Sequence, residues 1–210
     1  MAISYPLSVP SVKGPSSIRI SARNVVGVSE SPFTLQQQAV VHSGQRWEIT
    51  VDLPPMKPDK AELWVTFLLS LKGRQGTFLM GDPLRTSTRG SATTTPGSPL
   101  SAGVDQLGES INIDGCPINT IGYLLQGDYV QFNTGSSTTL HKVLTDVNTD
   151  GSGQATLELW PDIRNALTDN SVMSVTNTVG LFRLTSNVAG WSINLPDIYG
   201  IHFEGVEVII

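Results

Sequence analysis

The chain has 210 residues, 39% hydrophobic and 15% charged; ordinary soluble domains carry roughly 25% charge, so this one must hide surface elsewhere, and subunit contacts are one place to do so. Its 18 acidic and 13 basic residues leave a formal net charge of −5, which excludes a duplex-DNA binder that grips phosphates through a basic face. One cysteine, Cys116, excludes an intrachain disulfide and fits a reducing compartment.

The first residues contain Pro6 and Pro10 and no long apolar run, so they read as neither a signal peptide nor a membrane anchor, and no later stretch reaches the length of a span. Short strands are predicted over 17–22, 25–28, 33–41 and 46–53. Ser43-Gly44 supplies a turn between the last two. In 46–53, Trp47, Ile49, Val51 and Leu53 alternate with Glu48, Thr50 and Asp52, the mark of a strand with one buried face.

Pro54-Pro55 ends that strand, because proline cannot donate to a ladder. A helix is predicted over 58–71. Pro58 suits its first turn, and Asp59 and Glu62 place negative charge at the positive end of the dipole. Ala61, Trp64, Val65, Leu68 and Leu71 recur at spacings of three and four, with Leu63 and Phe67 widening the stripe. Gly73 fits the position just past the end, and Lys72 and Arg74 suit the negative terminus. A short strand at 77–80 and a turn at Gly81-Asp82-Pro83 follow.

Residues 85–103 are small and polar, with Pro and Gly, and read as an ordered linker or long loop. Beyond them the pattern is β again: 127–133, 139–147, 154–160 and 172–177, with Asp150-Gly151 as a hairpin signal. Trp160-Pro161-Asp162-Ile163-Arg164 reads as the start of a helical turn. The chain closes with strands over 181–185, 190–195 and 199–210. The last places Ile201, Phe203, Val206, Val208 and Ile210 on one face by means of a bulge at Gly205.

Few residues suggest chemistry. Asp146-x-Asn148-x-Asp150-Gly151 resembles the front of a calcium loop, but the twelfth position is Leu157 where a bidentate Glu is needed, so a polar hairpin turn is expected. His42, His141 and His202 lie at no metal-ligand spacing. Cys116 sits in the turn-like Asp114-Gly115-Cys116-Pro117 and is expected to be a bland thiol. No phosphate-cradling Gly-x-x-x-x-Gly-Lys motif occurs, and neither paired catalytic carboxylates nor a zinc triad is evident. The expectation is a protein that is not an enzyme, with no cofactor and no metal.

The segment 64–83, WVTFLLSLKGRQGTFLMGDP, resembles a block found in bacteriophage virion proteins, mostly tail structural proteins of this length. The likeness continues in Gly127-Asp128-Tyr129-Val130-Gln131, Lys142-Val143-Leu144, Asp150-Gly151-Ser152-Gly153, Trp160-Pro161-x-Ile163-Arg164, Phe182-Arg183-Leu184 and Tyr199-Gly200-Ile201. The order of elements is similar to that of the distal tail protein family of long-tailed phages.

That resemblance implies a mostly β chain with one α-helix. A tail-tube-like β-sandwich ring domain (1–84 with 181–210) would carry an inserted small β-barrel domain (94–177), joined by linkers at 85–93 and 178–180. It implies a homo-hexameric ring in the virion, made in the host cytoplasm and joining the tail tube to tip or baseplate proteins. Genomic DNA would pass through its lumen, and no membrane would be involved. Trp47, Trp64, Phe67, Arg74, Phe78 and Arg85 are the candidates for core or interface. Other readings are a different tail-axis subunit (tube, terminator or connector) and a module recognising host-surface glycans through an aromatic platform at Trp160 and Tyr129.

Overall fold

The computed structural model describes residues 3–194 and 198–209. The chain is mostly β, with one α-helix among the described residues. It opens with β1 (Leu7–Ser8), β2 (Ser17–Glu30), β3 (Gln37–Asp52), α1 (Pro58–Ser70) and β4 (Phe78–Met80). Next come β5 (Leu100–Ser101), β6 (Gln106–Asp114), β7 (Tyr129–Phe132), β8 (Thr139–Val143), β9 (Ala155–Leu167) and β10 (Met173–Ser174). It returns with β11 (Gly180–Leu184), β12 (Trp191–Asn194) and β13 (Ile198–Glu207).

The outer segments form one mixed sheet of seven strands in the order β1-β4-β11-β13-β3-β2, with β12 attached to β13. Among the described strands only β1 and β4 run parallel. The alternation predicted in 46–53 is present: Trp47, Ile49 and Val51 are buried on the face that receives α1. Lys57 precedes the helix in an extended conformation and Pro58 occupies its first position, where the missing N–H costs nothing. Leu71 caps the other end, and the chain leaves the helix through two left-handed residues, Lys72 at φ +50° in the position directly past the cap, where glycine was expected, and then Gly73 at φ +65°.

Aromatic side chains join the helix to the sheet. Trp64 meets Phe203 at 6.0 Å, and Phe67 meets Phe78 edge-on at 5.7 Å. Phe78 also meets Phe182 and Phe203 at 6.1 and 6.0 Å. Each such side chain withdrawn from water contributes about 2–3 kcal/mol before entropy is counted. Leu63, expected to widen the stripe, is exposed instead; it lies on the solvent side of a stripe already filled by Trp64, Phe67 and Leu68.

The middle strands form a second sheet in the order β10-β7-β8-β9-β6-β5. Its two ends nearly meet, with Ser101 N–H donating to the Ser171 carbonyl at 3.0 Å and Met173 N–H to Pro99 at 3.1 Å, so the sheet curls into an almost closed barrel. Ile111, Ile113, Phe132, Leu157 and Leu159 fill it. The stretch 85–103 is tied down: Arg89 and Gly90 donate backbone N–H groups to the buried Asp128 carboxylate, and Ala92 is buried among the barrel's core residues.

Four local expectations are corrected. Ser43-Gly44 is not a turn, because β3 runs through it. The register against β2 shifts between Arg23 and Val25, leaving Asn24 opposite Ser43, Gly44 and Gln45, so the small residues serve a bulge. The true turn lies at 31–36, closed by Ser31 N–H to the Gln36 carbonyl at 2.9 Å. Residues 160–164 are not a helical turn either. They continue β9, and Pro161 falls where the register with β6 jumps and no ladder donor is required.

Gly205 makes no bulge, since β13 keeps continuous register with β3 through it. The inward residues are therefore Ile201, Phe203, Gly205 and Glu207, while Val206 and Val208 point away. A side chain at Gly205 would sit 3.1 Å from both Ile49 and the Phe78 ring, so the glycine on β13 leaves room for these side chains of β3 and β4, strands of the same sheet, to close over it. Finally, β6 falls where the sequence pattern predicts no strand. Gly108, Glu109 and Ser110 dilute its alternation, and only Ile111 and Ile113 mark it as half-buried. The predicted strand ends at Leu195 and Ile210 lie outside the described residues.

Candidate assembly surface and the aromatic seam

Of the six residues singled out from sequence, Trp47, Trp64, Phe67 and Phe78 are buried in the first core, while Arg74 and Arg85 are exposed on loops. Arg74 is fixed through its backbone, its N–H donating to Asn187 Oδ1 at 3.1 Å; Arg85 N–H donates to the Asp82 carbonyl at 3.1 Å. The structure does not bring these two arginines together with the aromatic four.

The feature that sequence reasoning missed is an arm. Strands β2 and β3 begin as members of the sheet and continue past the bulge as a two-stranded hairpin that no other described strand flanks. The register places Val26 opposite Val41 and Val28 opposite Ala39 on one face. Val25 opposite His42 and Gly27 opposite Val40 occupy the other. Val28, Val40 and Val41 are all at least half exposed, Val41 to 73%, and Phe33 at the tip is 94% exposed.

An isolated hairpin is marginal in water, and one apolar on both faces is more so. The outer edge of β2 also leaves a row of backbone donors and acceptors without a strand partner among the described residues, a template for another chain. A signal was present in the sequence: the adjacent pairs Val25-Val26 and Val40-Val41 put apolar side chains on both parities, and Glu30 is the only formally charged residue between Arg23 and Arg46.

The bulge at the arm's base is where the barrel docks. Asn24 Oδ1 accepts from the Trp160 indole N–H at 2.8 Å, Gln45 Oε1 accepts from Asp162 N–H at 2.8 Å, and the Gln45 carbonyl accepts from Arg164. Trp47 stands between the two sheets, edge-on to Trp160 with centroids 4.4 Å apart and 6.0 Å from Tyr129. Its indole N–H donates to the Leu140 carbonyl at 2.8 Å. Ile20, Asn24, Trp47, Tyr129, Lys142 and Trp160 border an open cleft along this seam.

A buried polar cluster closes the seam behind it. Glu207 Oε2 accepts from Trp47 N–H at 3.0 Å and pairs with Arg164 at 3.2 Å. Burial pushes its carboxyl above the usual range in spite of both partners. His141 is wholly buried, and burial pushes its imidazole down to about 4. Its Nδ1 lies 2.6 Å from the Pro161 carbonyl, an acceptor only, so Nδ1 carries the proton and Nε2 is a bare lone pair.

The calcium-like segment has its oxygens engaged. Asp146 Oδ1 accepts from Gln126 N–H and Asn148 Oδ1 from Gly122 N–H, at 2.8 and 2.7 Å. Asp150 Oδ1 accepts from Gln154 and Ser152, bonds that hold its carboxyl below the usual range. Among the described residues no three His, Cys, Asp or Glu side chains gather as metal ligands. Cys116 is buried, its thiol pushed up by that burial. No protein-family model matches the chain, and neither does any curated protein.

Proposed function

We propose that this chain is a structural subunit of a phage tail, a distal tail or baseplate-adjacent protein whose copies form a homo-hexameric ring between the tail tube and the tip. The observation that supports the reading is the arm: apolar on both faces, with one unpaired edge, rooted in a sheet that α1 and the barrel brace from behind. Such an element is stable when a neighbouring copy covers it. A contact made by one end of a subunit on a different part of the next is heterologous and closes into a ring when its rotation allows. The phage-like segment 64–83 supplies the rest: it covers the second half of the helix and the whole of β4, which anchor this sheet.

On this reading the partners are other copies, the tube and the tip or baseplate, with genomic DNA passing through the lumen. A tube, terminator or connector subunit would use the same arm, and images of particles labelled at this protein separate those positions. Glycan recognition gains less support. The Tyr129 side chain is buried with Lys142 Nζ 4.4 Å over its ring, and Trp160, partly exposed at the cleft, is edge-on to Trp47 and bonded to Asn24, so the two rings form no shared open platform. The test of the main reading is the size of the purified full-length chain by sedimentation, together with its presence in assembled virions. A ring of defined size found on the tail axis is expected; a strict monomer absent from particles overturns it.

A further inference from the structure

We infer that the barrel sets the pitch of the arm: the outer row of β9 grips the bulge from which the arm departs, and so couples where the barrel sits to where the arm points. The contacts that do this lie within one chain and do not require the ring proposed above.

The bulge is the place where the arm can bend. Up to Arg23 and Arg46 the two strands pair in register, and Glu48 Oε1 accepts from both of those side chains, at 3.2 and 2.8 Å. Past them the pairing breaks before Val25 meets His42. A bulge interrupts the ladder and bends its strand, and no other described strand flanks the hairpin beyond it. The stretch from Val25 to Glu30 is about 20 Å long at the rise of an extended strand, so a tilt of about 15° at the bulge carries the tip about 5 Å.

Strand β9 places a stop at that one point. Its Leu157, Leu159 and Ile163 fill the barrel, which leaves the alternate residues Trp160, Asp162 and Arg164 on the outside. All three donate to the bulge, and between them they hold both of its strands. Trp160 holds Asn24 on β2 through the indole N–H, and Asp162 N–H holds Gln45 Oε1 on β3, each at 2.8 Å. The Arg164 guanidinium holds the Gln45 carbonyl. Arg164 is fixed in turn by the buried Glu207, whose carboxylate also accepts the N–H of Trp47, two residues past Gln45. Within the hairpin the strands close tightly, since a Cβ on Gly44 would stand 2.8 Å from Val25 Cγ2. Docking of the barrel and pitch of the arm are thus one equilibrium. Linkage makes it reciprocal: a partner that holds the arm at this pitch tightens the docking by the same factor by which docking tightens its hold.

The test is a distance within the whole chain, by pulsed electron paramagnetic resonance. Nitroxide labels go on Thr34→Cys at the tip and Glu62→Cys on α1, both exposed, while native Cys116 is buried. The labelled chain is diluted in excess unlabelled protein, so only distances within one copy are read. One narrow distance is expected. Asn24→Leu with Gln45→Leu removes both side-chain acceptors and is expected to broaden that distance by about 5 Å or more, with far-ultraviolet circular dichroism unchanged. Asn24→Asp with Gln45→Glu returns oxygen acceptors to the same N–H donors and is expected to recover the narrow distance, which a role in packing alone would not predict. Trp160→Phe keeps a ring beside Trp47 but lacks the donor to Asn24, and is expected to broaden the distance in its own right, whether or not the double leucine variant folds. A distance as narrow as wild type in Trp160→Phe or in the folded double leucine variant overturns the clamp and leaves the ring untouched. So does a broad distance when Asn24 and Gln45 are intact. A chain that stays monomeric overturns the ring and alters none of these expectations.

Discussion

At the residue scale, burial decides which side chains set conditions for folding. The His141 imidazole is held neutral down to about 4, while an unfolded histidine titrates near 6.5. Between those values the unfolded chain binds the extra proton, so stability falls as pH drops through that window and is fully present above it. Between pH 7 and pH 4.5, urea unfolding is expected to show a loss of roughly 2–3 kcal/mol from this group alone, and His141→Gln should remove that part of the pH dependence. An equal slope in the variant would assign the loss elsewhere. Gly205 works by size. Gly205→Ala should cost about 1–3 kcal/mol in the same assay, because Ile49 and Phe78 stand 3.1 Å from the added carbon and cannot both withdraw.

At the element scale, the helix and the arm are opposites. Helix α1 satisfies its apolar stripe inside the chain. Trp64→Ala should therefore cost about 3–5 kcal/mol, because the indole ring packs against Phe203 and Phe67 and its removal opens a cavity between helix and sheet. A melting temperature within about two degrees of wild type would contradict that packing role. Trp47 binds the two sheets to each other; Trp47→Phe keeps most of the packing but leaves the Leu140 carbonyl without its donor, for a loss of about 1–3 kcal/mol. The arm, by contrast, places its apolar side chains in solvent. Replacing residues 26–41 by Asn-Gly, which keeps Val25 opposite His42 and the bulge contacts to the barrel, should leave near-ultraviolet circular dichroism unchanged and abolish association. Loss of the folded signal instead would mean that the arm stabilises its own subunit.

At the scale of the whole molecule, two sheets are built from one chain by interruption: the barrel strands are inserted between β4 and β11, which pair with each other through Met80 and Gly180. The helix with its proline start and glycine stop, the strand carrying Trp47 to Leu53, and the mostly β character with one helix were all legible in the sequence. These rest on local signals: a period, a cap, a breaker. The arm, the docking of Asn24 and Gln45 on β9, and the bond from Trp47 to Glu207 were not legible, since each joins residues more than a hundred positions apart or depends on which strand lacks a neighbour. Ser43-Gly44 shows the boundary well. Small residues announce a departure from regular pairing, but whether the chain reverses there or merely bulges depends on what waits across the gap, here the edge of the barrel. Period, composition and turn chemistry therefore determined which segments extend and which one coils. Only the tertiary structure decided which apolar faces were covered and which were left facing solvent, because coverage is a property of neighbours and no residue carries its neighbours in its own identity.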